Sequence, residues 1–126
     1  MSKKLAYIRS ASLEIKERGI LNFWIHVDYE EGMSQGVGGI SLDTYNTDTK
    51  EREGTAYGCE VIRRLLLALN VNDFSQMAGM TIWVLGDGDG SRFSPAGIQS
   101  LKSCKGSQNP VIFKEIYEAM RRAGDE

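Results

Sequence analysis

The chain has 126 residues, 41% apolar, 9% aromatic and 25% charged, a size and balance that suit one folded domain and exclude a disordered segment. With 15 Lys and Arg against 17 Asp and Glu the net charge is −2, which excludes duplex nucleic acid held by long runs of phosphate contacts. No window approaches the ~20 consecutive apolar residues of a membrane span, and charged residues follow the N-terminus too closely for a signal peptide, so a cytoplasmic protein with no membrane partner is expected.

Residues 8–17 carry Ala11, Leu13 and Ile15 in alternation with Ser12, Glu14 and Lys16, the period-two pattern of a strand with one wet face. After Arg18-Gly19, Leu21, Phe23, Ile25, Val27 and Tyr29 alternate with polar or amphipathic residues, so a second strand pairs back as a hairpin. Glu30-Glu31-Gly32 is a turn, and residues 35–42 form a third strand holding Gly36, Gly38 and Gly39. Glycine weakens a strand by ~0.5–1 kcal/mol relative to alanine, so three together point to a bulge, a bend, or another backbone or a ligand close by. Residues 43–53 are polar and turn-rich and read as a surface excursion.

From Gly54 the period becomes helical, with Gly58, Val61, Ile62, Leu65, Leu66 and Leu69 on one wide apolar face, Thr55 as N-cap and Asn70 at the end; Arg63 and Arg64 fall away from that face. Residues 80–85 form a short buried strand closed by a Gly-Asp loop over 86–90, and Ile98 and Leu101 belong to one more. After Asn109-Pro110, Ile112, Phe113, Ile116 and Met120 mark a C-terminal helix, with Lys114 and Glu118 one turn apart on its wet side. The order lacks strict β-α alternation, so the expected fold is α+β: one domain over residues 1–126, a small antiparallel β-sheet packed with two α-helices. The helix at 55–69 should cover one sheet face, leaving the other face or an edge for a partner.

Little in the residue types points to catalysis. Asp87-Gly88-Asp89-Gly90-Ser91 begins like a calcium loop but has Arg92 at the sixth position and Ile98 at the twelfth, where glycine and a carboxylate are needed. His26 is the sole histidine, with no second ligand at zinc spacing. Cys59 and Cys104 form no CxxC pair and read as buried, unbridged fillers rather than nucleophiles. No metal site, cofactor or catalytic residue is therefore expected. Gly54 to Gly58 opens a helix, where free N–H groups and the helix dipole can hold an anion, although an ordinary cap with glycines for close packing on the sheet is the favoured explanation. Charge is uneven: residues 28–60 hold eight acids and two bases, net −6, whereas 91–122 hold six bases and two acids, net +4. Opposite patches favour self-association, and a basic locus suits a compact anionic ligand.

The stretches GVGGISLDTY and REGTAYGCEVIRRLLLALNV, followed by a short strand with Trp83, resemble small phage-encoded proteins in which GxGxGGYxLD precedes GTxxGxxxIRRxLxxLGV. That pattern is associated with the first family of Thoeris anti-defence proteins, sponges for cyclic ADP-ribose signals made by bacterial TIR-domain proteins. The resemblance spans residues 20–85 and matches at Gly36, Gly38, Gly39, Leu42, Asp43, Gly54, Thr55, Gly58, Ile62, Arg63, Arg64 and Leu65. Ile40 stands where the family has an aromatic, and the chain departs from the pattern after Leu85.

What the resemblance implies is binding without turnover, by a homo-oligomer (hexamer or dimer) whose pockets lie between subunits and enclose a glycocyclic ADP-ribose or, in some members, a cyclic oligonucleotide. Such a ligand needs cationic or N–H donors for phosphate and a flat side chain for the base. Arg63, Arg64, Arg92, Lys102 and Lys105 are the candidate donors. Tyr57 and Trp83 are the chosen platforms, with Trp24 and Phe93 also available, and Gly38 and Gly39 would admit a neighbour or the ligand. A small nucleotide hydrolase with magnesium on Asp87, Asp89 and a glutamate, or a structural or adaptor protein of a phage or mobile element, is the alternative.

Overall fold

Alternation of apolar residues along β1 (Ser2–Ile15), β2 (Leu21–Tyr29) and β3 (Ser34–Ser41) builds the larger part of one antiparallel sheet. The computed structural model describes residues 1–101 and 110–124, with side chains through Arg121. Among these residues the chain continues through β4 (Asp43–Asn46), β5 (Glu51–Gly54), α1 (Ala56–Leu69), β6 (Thr81–Asp87), β7 (Ser94–Ser100), β8 (Val111–Ile112) and α2 (Phe113–Gly124). Six strands form the main sheet in the order β3-β2-β1-β6-β7-β8, every neighbouring pair antiparallel, while β4 and β5 form a separate two-stranded ribbon. This is the α+β architecture expected, an antiparallel sheet with two helices. No helix among the described residues is long and apolar enough to cross a membrane.

Bulges decide which side chains face inward. A shift between Ile8 and Ser10 moves the buried set of β1 from Ala6 and Ile8 to the Ala11 register, whereas β2 buries Phe23, Ile25, Val27 and Tyr29 without interruption. A second shift, between Asn22 and Trp24 of β2, falls at Gly38 and Gly39 of β3, whose φ values are 113° and 71°. These twists curl the sheet until β3 approaches β7, although three strands separate them in the order. The curl is latched by the Gln35 amide, which donates to the Phe93 carbonyl at 2.8 Å and accepts from the Tyr29 hydroxyl at 2.6 Å.

Inside the curl lies one continuous core. α1 contributes Val61, Leu65, Ala68 and Leu69, α2 contributes Phe113 and Ile116, and Phe23 meets Phe74 and Phe113 edge to face at 6.2 and 5.5 Å. Burying each large aliphatic side chain contributes ~1.5–3 kcal/mol, so α1 is held mainly by tertiary packing. Its ends are set locally. Thr55 accepts from the Gly58 amide at 2.9 Å, and Asn70, at φ 54°, closes the last turn.

Several expectations need correction. The first strand starts at Ser2 rather than Ile8, because Lys3 and Lys4 enter the sheet by lying over aromatic rings, Lys3 over Trp83 at 4.7 Å and Lys4 over Phe93 at 5.0 Å. The surface excursion expected at residues 43–53 is a two-stranded β-ribbon. No apolar alternation announces it; Asn46 sets its turn by accepting from the Asp48 and Thr49 amides. The sixth strand runs through Gly86 and Asp87, which were expected in the loop. Cys59 is exposed rather than buried, since α1 turns Gly58 and Val61 to the sheet; Cys104 lies outside the described residues.

Gly58 is the tightest point. A Cβ there would overlap the Leu42 carbonyl oxygen, a backbone atom that cannot swing aside. Gly58→Ala is expected to lower unfolding free energy by about 2–3 kcal/mol through overpacking, despite the ~1 kcal/mol that alanine offers a helix; urea denaturation measures it, and a stabilised variant would contradict this geometry.

Candidate functional site

The N-terminus of α1 opens into a cleft of about 440 Å³ between the end of β3, β4 and the outer part of α2. The hydroxyl of Thr55 donates to the Leu42 carbonyl at 2.8 Å while accepting from the Gly58 amide, so it pins the first helical turn to the strand. The amides of Ala56 and Tyr57, at the same turn, have no acceptor within the helix. Both residues line the cleft.

Across from them α2 presents Tyr117, Met120 and Arg121. Tyr57 and Tyr117 meet edge to face at 5.4 Å and 89°; the Tyr57 hydroxyl donates to the Phe113 carbonyl at 3.3 Å, and Tyr117 stays 52% exposed. Burial, with the neighbouring Tyr117 adding to it, pushes the Tyr57 phenol up, so it is a neutral donor at physiological pH. Arg121 is exposed and makes no ion pair among the described residues.

The remaining wall is an internally neutral pair. Arg52 clasps Asp43 through two bonds, Nε to Oδ2 at 3.0 Å and Nη2 to Oδ1 at 2.7 Å, and Asp43 also accepts from the Leu21 amide and the Ser41 hydroxyl. The side chain of Asp43 is only 7% exposed. Its negative charge is therefore spent within the wall, leaving Arg121 and the helix N-terminus to set the sign of the cleft. Chemically the cleft offers cationic and N–H donors beside an exposed aromatic ring, at a size within the ~300–1,000 Å³ range of small-molecule pockets.

The residues singled out from sequence are not gathered at one place. Tyr57 lines the cleft. Arg63 and Arg64 share Glu60, at 3.1 and 3.3 Å, further along α1. Gly38 and Gly39 pack within the chain: a Cβ on Gly38 would stand 2.6 Å from the Phe23 ring, and one on Gly39 would overlap the Trp24 indole. Trp83 lies on β6 beneath Lys3, on the sheet face away from the helices, as do Trp24 and His26, which stack at 5.9 Å. Phe93 is buried against Tyr29. Arg92 is exposed at the end of a short 3-10 turn, and Lys102 and Lys105 lie outside the described residues.

Arg121 and Tyr117 were missed as site residues. Their signal was the one-turn spacing of Tyr117 and Arg121 on the C-terminal helix, which carries no information about what they face. No group of three or more His, Cys, Asp or Glu able to hold a metal ion occurs among the described residues. The chain matches no family model, no curated protein and no solved structure.

The Arg52 guanidinium hydrogen-bonded to Asp43 holds its carboxyl well below the usual carboxylate range, helped by the Leu21 amide and the Ser41 hydroxyl and opposed by burial. A carboxyl depressed on folding contributes its full stabilisation above its unfolded pKa of ~3.9, and that contribution begins to fall there and is lost progressively as pH drops through the depressed folded value. The urea midpoint should therefore drop on acidification from about pH 5 to pH 3 less steeply in Asp43→Asn than in the wild type, with the variant already weaker at neutral pH; equal slopes would remove Asp43 from this role.

Proposed function

We propose that this chain binds and sequesters a cyclic nucleotide second messenger without degrading it, acting as a phage anti-defence sponge in the cytoplasm of the infected host. The ligand of first choice is a glycocyclic ADP-ribose, with cyclic oligonucleotides as the second class. The reading rests on the sequence resemblance together with one structural observation: the α1 N-terminus, Arg121 and the Tyr57-Tyr117 pair share a single cleft. A pyrophosphate would take Arg121 and the Ala56 and Tyr57 amides, and an adenine would stack on Tyr117. Base stacking on an aromatic is worth ~1–3 kcal/mol, and a charged hydrogen bond ~1.5–3 kcal/mol. A homo-oligomer completes the reading, with a second copy closing the open side of the cleft.

Sequestration demands affinity. A sponge must outcompete the signal's receptor, so a dissociation constant below about 1 μM is expected, equivalent to roughly −8 kcal/mol or better. Native mass spectrometry with cyclic ADP-ribose isomers and cyclic oligonucleotides should show bound ligand that is recovered chemically intact on denaturation. Arg121→Ala should weaken binding by about tenfold to a hundredfold. Ligand returned as a cleavage product, or no mass shift with any of these compounds, sinks the proposal; an Arg121→Ala protein with wild-type affinity moves the site elsewhere.

A further inference from the structure

β1 is longer than its neighbour on one side. It pairs with β2 as far as Ile15 but with β6 only from Ser2 to Tyr7, and Gly79 and Met80 extend that side no further than Ile8. Among the described residues, no backbone hydrogen bond reaches the outer edge of residues 10–15. A groove of about 540 Å³ is lined by residues 11–14 of this edge, by Ile62 and Leu66 of α1 and by residues 72–75. Leu13 and Ile15 stand on the same side of β1 as the helices and are 42% and 69% exposed. An unpaired strand edge beside an apolar groove is a template for one more strand.

We propose that the strand it accepts is β1 of a second copy of this chain, paired antiparallel about a two-fold axis at Leu13. The sequence is self-complementary in that register. Leu13 faces its own counterpart and Ala11 faces Ile15 on the helix side, and Ser12 faces Glu14 on the outer side. Neighbouring registers are worse: an axis at Glu14 sets two carboxylates face to face, each with its own Lys16 at 2.6 Å as counter-charge, one at Ile15 runs off the end of the strand, and one at Ser12 puts Ile15 against Arg9. The result is an isologous contact that joins two six-stranded sheets and covers Leu13 and Ile15 of both copies.

This contact uses the far side of α1 from the cleft, so it stands or falls separately from nucleotide binding. Sedimentation of the full chain should show a dimer or a multiple of it. Leu13→Lys, which sets two ammonium groups on the axis, should weaken association by at least about tenfold with an unchanged circular dichroism melt. In a Cys59→Ser, Cys104→Ser background, Leu13→Cys should cross-link under mild oxidation, because opposed residues of an antiparallel ladder lie ~4.5–5.5 Å apart between Cα atoms, within disulfide reach. Tyr45→Cys, exposed on β4, should not. A wild type that stays monomeric up to about 1 mM, an unshifted Leu13→Lys, or a self-associating chain whose Leu13→Cys form gives no cross-link would each overturn the inference. A dimer that binds none of the nucleotides would sink the sponge reading alone.

Discussion

The geometry of the cleft depends on the contact between the first turn of α1 and the end of β3. Gly58 has no side chain, so the helix can lie directly on the Leu42 carbonyl, and Thr55 ties both to one hydroxyl by donating to that carbonyl and accepting from the Gly58 amide. One methyl group at position 58 would separate the two elements. Asp43 follows immediately, and its carboxylate reaches the Leu21 amide at the start of β2 and the Arg52 guanidinium on β5. Helix, main sheet and ribbon therefore meet within two residues of Leu42, and the donors of the helix N-terminus open into the same cleft as Arg121.

A similar economy governs the outer face of the sheet. The glycines of β3 that suggested an approaching ligand are occupied by the chain's own aromatic rings: a Cβ on Gly36 would stand 2.8 Å from the Trp24 indole, which also covers Gly39. A large ring laid over glycines restores the contact area they lack. Trp24 in turn stacks on His26. The left-handed backbone at Gly38 and Gly39 coincides with the register shift of β3 against β2, where the sheet curls around α1.

Charge follows the same local logic. The acid-rich stretch between residues 28 and 60 draws its bases from several elements: Asp28 from Arg9, Glu31 from Lys4, Asp43 from Arg52, and Glu60 from Arg63 and Arg64. Apart from the buried Asp43-Arg52 pair, such exposed pairs contribute little to stability, but they decide which cations are already engaged. Arg63 and Arg64, prominent in the sequence motif, are spent on Glu60, whereas Arg121 makes no ion pair among the described residues.

Strand alternation in β2, the helical period and caps of α1, and the succession of hairpin, third strand, helix, strands and C-terminal helix were legible in the sequence, because each is a local consequence of side-chain period and backbone preference. Thr55, Asn70 and the apolar face through Val61 and Leu65 could be read directly for that reason. The ribbon at 43–54 could not, since its register rests on Asn46 and on an Asp43-Arg52 pair rather than on any hydrophobic pattern. Neither could the early start of β1, where Lys3 and Lys4 are accommodated by rings on distant strands. Of the site, the sequence by itself determined that a helix would begin at Thr55 with free amides and that Tyr57 would lie in its first turn. Only the tertiary structure decided that Tyr117 and Arg121 share that cleft, that Trp83 faces the other way, and that Gly38 and Gly39 are filled from within, because the curl of the sheet and the docking of α2 depend on contacts between residues far apart in the chain.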